Sequence, residues 1–307
     1  MSHKEVAELF LAAFPDPDQG SDVSPMLVPS IPSLEFALST SIAMSTSPGN
    51  ARLGGLAGYK LGWKNKFTTQ NHPALFGPIF NNYVYQHTES PRISVSANTL
   101  WCAEAEYGFT FGAALLARST PYTEAEVYAA VGGINLCIEL CGSRQTTSVD
   151  PLVYVADALC GACVVVGPAI EKAQDPSSLA TVPVELLVDD VRISTGSGLE
   201  NPFDSPLASL TFLVNSLCLN HAANIPAGTL VITGHCSQAG FKSSNLSPIA
   251  APPHVAADIV DENMPFCHIK ATGSRVTARF GATGWSLGEV EAVLTNDRVE
   301  PNVASKL

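Results

Sequence analysis

From Leu56 onward the sequence is a succession of short apolar segments separated by Gly, Pro, Asn and Ser. Segments of this kind, rich in β-branched and aromatic residues, are typical of β-strands. We predict strands at 58–63, 92–95, 103–113, 134–141, 163–166, 184–188, 229–233 and 268–280, the last with a turn at Thr272 and Gly273. Many strands with few helices predict an α+β domain built on a β-roll or sandwich.

Helical patterns occur mainly before the strands, in residues 1–55. Apolar residues recur at helical spacing from Val6 to Ala13, and a second helix is predicted to begin at Pro32, in the manner of a first-turn proline. Two more helices are predicted among the strands. Thr123 and Glu126 have the spacing of a capping box, and Asp204 can cap the other helix.

We therefore divide the chain into a small helical N-terminal part, 1–55, a β-rich domain, 56–284, and a C-terminal tail, 285–307. Within the β-rich domain, residues 238–258 are rich in Pro and Ser. This segment is long for a loop, so we predict a lid or a flexible insertion there.

Composition and charge narrow the range of functions. Hydrophobic residues make up 46% of the chain and charged residues 14%, a balance that favours a well-filled core. The net charge of -12 argues against nucleic acid as a partner, because phosphates would be repelled. No apolar run reaches the roughly 18–20 residues needed to span a bilayer, and the start of the chain lacks the pattern of a signal peptide. The eight cysteines have no regular spacing, so we predict reduced thiols and a cytoplasmic protein.

Three glutamates stand out against this apolar background. Glu104 and Glu106 lie two apart in a predicted strand, so their side chains project from the same face. Glu139 lies within the apolar segment 134–141, where an unpaired carboxylate would cost at least a few kcal/mol. Like charges held together in a partly buried site require a cation or protons. Three oxygen donors, with no His or Cys expected beside them, select Mg²⁺ or Mn²⁺ over zinc.

Spacing alone leaves an alternative open for the same residues. In it, Glu104 and Glu106 lie on an exposed strand face, and Glu139 pairs with Arg144. Because two glutamates two residues apart are common in strands, the spacing does not separate the two interpretations.

Several short blocks, from about Gly58 to Phe280, occur in an order and spacing shared with one protein family. They are Gly58-Tyr59-Lys60-Leu61-Gly62, Phe76-Gly77, Ala103-Glu104-Ala105-Glu106-Tyr107-Gly108-Phe109, Glu139-Leu140-Cys141-Gly142-Ser143-Arg144, Val155-Ala156-Asp157, Thr195-Gly196-Ser197-Gly198, Pro206-Leu207 and Thr233-Gly234. In them the chain resembles the 2-keto-4-pentenoate hydratase and 4-oxalocrotonate decarboxylase group of the fumarylacetoacetate hydrolase superfamily. The resemblance implies that superfamily's α+β fold, a mixed β-roll or sandwich, here with a small helical N-terminal part.

The resemblance also implies a site and a cofactor. In that family, acidic residues at the positions of Glu104, Glu106 and Glu139 bind Mg²⁺ or Mn²⁺, and the metal chelates a small 2-keto acid. Lys60 matches the family's lysine and is expected to neutralise the substrate carboxylate or relay a proton. The expected substrate-binding residues are Thr195, Gly196, Thr233 and Gly234.

Two positions depart from the family's pattern. Leu75 stands where the hydratases usually carry an aspartate, which puts hydratase activity in doubt, whereas the decarboxylases also have an apolar residue there. After Gly234 the family usually has a small turn with Gly and Pro. This chain continues instead with His235 and the long insertion, which predicts a remodelled rim of the active site.

Three functional hypotheses follow. The first is a metal-dependent lyase, a hydratase or decarboxylase, acting on a small 2-keto or 2-hydroxy-dienoic acid through a metal-bound enolate. The second is an acylpyruvate-type hydrolase of C–C bonds, which needs a base such as His72, His87 or His235. The third is a degenerate binding or scaffold protein without activity. The expected partners are the small acid and further copies of this chain, with neither nucleic acid nor a membrane.

Overall fold

The computed structural model describes residues 1–15, 30–62, 74–89, 91–95, 100–142, 144, 150–172, 175–242, 265–270, 273–282 and 285–295. The α-helices in this part of the chain are α1 (His3–Ala13), α2 (Leu34–Thr46), α3 (Glu124–Ala130), α4 (Pro151–Ala156) and α5 (Pro206–Asn215). The strands are β1 (Leu56–Gly62), β2 (Leu75–Phe80), β3 (Val84–Gln86), β4 (Arg92–Ser94), β5 (Leu100–Phe111), β6 (Val131–Gly142), β7 (Gly161–Ile170), β8 (Pro183–Val188), β9 (Val191–Ser197), β10 (Leu230–Ile232), β11 (Ser237–Lys242), β12 (Phe266–His268), β13 (Ser274–Ala282) and β14 (Trp285–Thr295).

The larger sheet follows the order β2-β1-β10-β5-β6-β7-β3, and β11 extends it by pairing with β5 and β12. Its longest strands, β5 and β6, form an antiparallel pair in which Glu104 lies directly opposite Glu139. The sheet curls so strongly that β2, at one end, packs against β7, near the other. The sheet therefore has an enclosed concave face.

The smaller sheet, in the order β4-β14-β13-β8-β9, packs on the convex side of the larger one. Alternation along β5 decides which residues meet it. Ala105 and Tyr107 are buried, and the Tyr107 ring packs against Phe280 of β13, with ring centroids 5.1 Å apart. Glu104 and Glu106 occupy the alternate positions, so they project from the concave face. The strand pleat thus separates the apolar core from the carboxylates.

Helices α1 and α2 pack on each other, and α2 covers β2. The predicted start of α2 at Pro32 is wrong. Ser33 is the N-cap, because its extended backbone lets the hydroxyl accept a hydrogen bond from the Phe36 N–H. None of the described helices is long and apolar enough to cross a bilayer.

The two predicted helix caps among the strands have different outcomes. The capping box of Thr123 and Glu126 is confirmed at α3. The predicted cap of α5 by Asp204 is wrong, because Asp204 has a left-handed backbone with φ of 55°. Ser205 is extended there instead, and its hydroxyl accepts a hydrogen bond from the Ala208 N–H.

The predicted C-terminal tail is wrong over Trp285–Thr295, which forms β14 and pairs antiparallel with β13. Val290, Ala292 and Leu294 alternate along it and are buried, so this segment contributes to the core. Residues 296–307 lie outside the described part of the chain. The predicted insertion 238–258 begins within strand β11, and its remainder from 243 also lies outside the described residues. The predicted α+β fold itself is confirmed by the two packed sheets with few helices.

Candidate metal centre

The concave face of the β5–β6 pair carries three consecutive cross-strand pairs of acidic or sulfur-containing side chains. Cys102 lies opposite Cys141, Glu104 opposite Glu139, and Glu106 opposite Cys137. The structure thus places Glu104 and Glu106 on one face, as their spacing predicts, and brings Glu139 to them from the neighbouring strand. The expectation that no cysteine lies beside the glutamates is wrong, because the strand pairing brings cysteines from both strands to this face.

The carboxylate oxygens of Glu104, Glu106 and Glu139 can be chosen so that all three lie within 4.8 Å of one another. Glu106 and Glu139 are fully buried, with exposures of 0% and 1%, and Glu104 is half-buried. Glu106 Oε1 and Glu139 Oε2 accept no hydrogen bond from the described residues. A buried oxygen without a donor is costly, and a divalent cation that prefers oxygen ligands would satisfy it. The three residues therefore fit a hard divalent cation.

Lys60 reaches this cluster from β1. Its Nζ lies 2.5 Å from Glu139 Oε1, and both side chains are buried. A glycine in β7 leaves room beside this pair, since a Cβ on Gly161 would lie 3.2 Å from Lys60 Cδ, which is closer than ordinary packing contacts. Tyr59 and Leu61, on the opposite face of β1, are buried in the core. Lys60 is therefore an interior cation rather than a strand-edge surface residue.

Burial and mutual repulsion shape the charges of this cluster. Burial raises the pKa of Glu139 to about 7. The attraction of Lys60 opposes this rise, and the repulsion of Glu104 adds to it. Burial also raises the pKa of Glu106 well above its ordinary value, and the repulsion of Glu139 adds to this. For Lys60, burial lowers the pKa, but the attraction of Glu139 and its neighbours outweighs burial and holds the pKa well above its ordinary value. Protons therefore neutralise part of the cluster when no metal is bound.

A tight turn after β10 holds Glu106 from the other side. The Gly234 N–H donates a hydrogen bond of 2.8 Å to Glu106 Oε2. Gly234 has a φ of +100°, and a Cβ there would lie 2.7 Å from Pro202 Cδ, so the turn requires glycine. Asn201 fastens the turn: its Nδ2 donates to the carbonyls of Gly234 and His235, and its Oδ1 accepts from the Thr233 hydroxyl. Asn201 is not among the residues predicted from the sequence, where its only signal is that it precedes a proline.

The second predicted substrate-binding pair lies beside the same turn. Gly196 of β9 packs so closely on it that a Cβ would lie 2.0 Å from the Cys236 carbonyl oxygen. Thr195 is exposed. The structure thus brings Gly196 of this pair to the turn that contains Thr233 and Gly234, and the Thr233 hydroxyl is already donated to Asn201.

Arg144 does not pair with Glu139, so the alternative to a metal site is wrong on this point, and Glu106 is not exposed. Arg144 Nε lies 2.7 Å from Asp157 Oδ1, and its two other nitrogens donate to the carbonyls of Asp157 and Gly161. These contacts span the turn 158–160, whose three residues have left-handed φ values of 50°, 52° and 60°. Arg144 therefore braces a strained turn that leads into Gly161, beside Lys60 and Glu139.

A small cavity of about 10 Å³, room for about one water molecule, lies beside Glu139, between β2 and β7, and is lined mainly by apolar side chains such as Phe14, Ile79 and Val164. Leu75 of β2 is fully buried and lies opposite Gly62 of β1. Because Lys60 and Gly62 are two apart in β1, Leu75 projects from the same face as Lys60. This position therefore holds an apolar side chain on the face of the sheet that carries Lys60.

The candidate histidines are dispersed. His87 Nδ1 accepts a hydrogen bond from the Glu291 N–H of the smaller sheet. His235 belongs to the turn that contacts Glu106 through Gly234. His72 lies outside the described residues. Of the two described candidates, only His235 is therefore a sequence neighbour of a residue, Gly234, that contacts the carboxylate cluster.

Comparisons with known proteins support the fold. No protein-family model matches the sequence, and no curated protein matches it. Among solved structures, 4-oxalocrotonate decarboxylase from Pseudomonas putida G7, complexed with magnesium and adipate, is 19% identical, with a TM-score of 0.65 over 95% of this chain and 97% of that one. The same enzyme complexed with calcium and acetate gives a TM-score of 0.64 at 19% identity, over 95% of this chain and 96% of that one.

A fumarylpyruvate hydrolase is also similar. The enzyme from Pseudomonas aeruginosa, in complex with Mn²⁺ and pyruvate, is 14% identical, with a TM-score of 0.50 over 78% of this chain and 89% of that one. The decarboxylase matches more of this chain, 95% against 78%, and so includes most of the helical N-terminal part. The chain therefore has the fold of 4-oxalocrotonate decarboxylase, as the sequence resemblance implies.

Proposed function

We propose that the protein is an enzyme that binds Mg²⁺ or Mn²⁺ through Glu104, Glu106 and Glu139 and acts on a small 2-keto acid. The observation that carries this proposal is the convergence of three carboxylates, two of them buried, with oxygens that lack hydrogen-bond donors. A divalent cation at this position supplies a Lewis acid that stabilises negative charge on the 2-oxo oxygen.

Charge and orientation both support a divalent cation. The three carboxylates together carry three negative charges, which Lys60 and one dication would balance. Lys60 holds Glu139 at Oε1, and the Gly234 N–H holds Glu106 at Oε2. In each glutamate the other oxygen lacks a donor. The fixed oxygens therefore orient the free ones, which is how neighbouring hydrogen bonds commonly prepare metal ligands.

The substrate class is supported by the fold and by the apolar side chains beside Glu139. The decarboxylase with this fold is described in complex with adipate, and the hydrolase in complex with pyruvate. Both ligands are small carboxylic acids. The side chains beside Glu139 are mainly apolar, which suits contact with a short carbon chain whose polar end faces the carboxylates. Lys60, charged and buried, would contribute electrostatic stabilisation or a proton to the reacting acid.

Leu75 favours decarboxylation over addition of water. Water addition to a dienoic acid needs a group that delivers or removes a proton at the reacting carbon. Leu75 offers none on the face that it shares with Lys60. Loss of CO₂ requires stabilisation of the resulting negative charge, which a dication and Lys60 would provide without an additional acid.

The metal site is tested by calorimetry with Mn²⁺. Wild type is expected to bind Mn²⁺, and Glu139→Gln is expected to weaken binding by at least about ten-fold, since even indirect changes near a metal cost that much. Glu126→Gln is the matched control, because Glu126 lies on the surface and pairs with Arg118. Unchanged affinity in Glu104→Gln, Glu106→Gln and Glu139→Gln alike would remove the site.

The reaction is tested by incubating the Mn²⁺-loaded protein with a panel of 2-keto acids in deuterated buffer. Deuterium incorporation next to the keto group reports enolisation, and product analysis separates CO₂ release from water addition and from C–C hydrolysis. Cleavage of acylpyruvates, lost in His235→Ala, would favour a hydrolase instead. Metal binding without enolisation of any panel member would favour a binding or scaffold protein.

A further inference from the structure

The cross-strand pair next to Glu104 consists of two cysteines. Cys102 of β5 and Cys141 of β6 are directly opposite each other, and both are buried. Cys102 Sγ lies 3.9 Å from Glu104 Oε1. One ligand atom from each of Cys102, Cys141 and Glu104 can be chosen so that all three lie within 4.8 Å of one another. These thiols are not among the ligands of the carboxylate centre proposed above.

The spacing of these atoms suits a tetrahedral soft cation. Zinc–sulfur bonds of about 2.3 Å and zinc–oxygen bonds of about 2.0–2.2 Å place neighbouring ligand atoms of a tetrahedral site roughly 3.5–4 Å apart. The two residues that flank the cysteine pair in the sheet are glycines, Gly161 next to Cys141 and Gly240 next to Cys102. Neither brings a side chain to this pair, so the two neighbouring strand positions supply no further protein ligand. Two thiolates and one carboxylate form a ligand set that prefers thiophilic cations to Mg²⁺.

We propose that Cys102, Cys141 and Glu104 form a second metal site, for a thiophilic divalent cation such as Zn²⁺ or Cd²⁺. On binding, each thiol releases its proton to solvent, and its sulfur donates an electron pair to the cation. Glu104 belongs to both ligand sets, so a cation held by the thiols draws this carboxylate away from Glu106 and Glu139. A thiophilic cation therefore lowers the affinity of the carboxylate centre for Mg²⁺ or Mn²⁺. The competition rests on the proposed function, whereas the thiol site does not.

The experiment uses Cd²⁺ as the probe, with the protein fully reduced beforehand and the reductant removed under argon. The ultraviolet thiolate-to-Cd²⁺ charge-transfer band reports the thiol site, and calorimetry with Mn²⁺ reports the carboxylate centre. Cys102→Ala and Cys141→Ala are expected to lose the band and to weaken Cd²⁺ binding by more than about ten-fold, since these changes remove ligands directly. Cys218→Ala, which replaces a buried cysteine whose thiol donates to the Leu115 carbonyl, is the control that keeps the band.

Two glutamate variants separate the sites. Glu106→Gln is expected to lose Mn²⁺ binding and keep the Cd²⁺ band, whereas Glu104→Gln weakens both. In wild type, one equivalent of Cd²⁺ is expected to lower Mn²⁺ affinity by at least about ten-fold. Absence of the band in folded wild type overturns the thiol site even if an alanine variant fails to fold. Unchanged Mn²⁺ affinity in the Cd²⁺-loaded protein overturns the sharing of Glu104. If none of the glutamate variants loses Mn²⁺ binding, only the proposed function is overturned.

Discussion

Lys60 Nζ lies 2.5 Å from Glu139 Oε1, although β1 and β6, which carry these residues, are separated in the sheet by β10 and β5. Only the curl of the sheet brings the two side chains together across its concave face. The pair therefore links the global shape of the sheet to the local charge of the metal centre. Replacing Lys60 or Glu139 therefore tests both the shape of the sheet and the charge of the metal centre.

Lys60→Met is expected to destabilise the metal-free protein, because it removes the cation next to a buried carboxylate. Loss of one partner of a buried ion pair typically costs roughly 3–5 kcal/mol. Uptake of a proton by Glu139 should reduce this cost at acidic pH. Urea unfolding with and without Mn²⁺ measures the effect, and Mn²⁺ is expected to recover part of the loss. Lys270→Met, in an exposed pair with Asp189, is the control and should change stability by less than about 1 kcal/mol.

Replacing Lys60 is also predicted to slow the reaction, an effect that measurements of unfolding do not detect. Lys60→Ala should lower turnover of a 2-keto acid by about 10²-fold or more, the scale of a positioned proton-transfer group. The rate is measured in folded protein that is saturated with Mn²⁺, so that binding and folding are excluded as causes. Full activity in this variant would remove Lys60 from the mechanism.

The raised pKa values of Glu106 and Glu139 predict that the metal-free protein loses stability as the pH rises. The pKa of Glu139 has its ordinary value of 4.5 in the unfolded state and is raised to about 7 in the folded state. Between these values the folded state binds more protons than the unfolded state, so the free energy of unfolding falls with increasing pH. Urea unfolding in chelator should show this decrease from about pH 5 to about pH 8. In Glu139→Gln, which cannot ionise there, the decrease should be smaller, and an equal decrease would contradict the assignment.

Arg144→Met is expected to destabilise the protein by roughly 3–5 kcal/mol, because it removes the cationic partner of the buried Asp157 carboxylate. It also removes the donors to the Asp157 and Gly161 carbonyls that brace the turn 158–160. Arg144→Lys should recover little, since an ammonium cannot reproduce the planar fork of donors. Arg279→Met, in a more exposed pair with Glu289, is the matched control in urea unfolding. Equal losses in the two Met variants would show that the turn does not depend on Arg144.

The features that could be predicted from the sequence depend on local periodicity. The capping box at Thr123 and the shared face of Glu104 and Glu106 follow from spacings within one helix or one strand. The β2 strand was missed because Gly77 and Pro78 resemble a turn. Pro78 is tolerated there because β2 lies at the edge of the sheet, where a missing N–H leaves no ladder partner unpaired.

The parts of the site that could not be predicted depend on contacts distant in sequence. The Lys60–Glu139 pair requires the curl of the sheet, and the bond from the Gly234 N–H to Glu106 joins residues 128 positions apart. The cysteine pair at Cys102 and Cys141 depends on the register of β5 against β6. No spacing within a single segment encodes such a register, because a shift by one residue would turn every side chain to the other face.

Leu75→Asp tests whether the missing acid decides between decarboxylation and hydration. Wild type is expected to hydrate 2-hydroxypentadienoate far more slowly than the about 1–10³ per second of ordinary enzymes. Leu75 shares its face with Lys60, so an aspartate there would place a proton-transfer group beside the carboxylate cluster. The variant should therefore add water faster than wild type.

The same substitution buries a carboxylate in place of Leu75, whose exposure is 0%. We therefore expect lower thermal stability, by a few kcal/mol if the group stays charged. Leu75→Asn is the matched control, because asparagine has nearly the same size and polarity as aspartic acid but cannot transfer a proton as an acid. Hydration that rises in Leu75→Asp and not in Leu75→Asn would assign the gain to the acid. An ordinary hydration rate in wild type would instead show that this reaction does not need an acid at position 75.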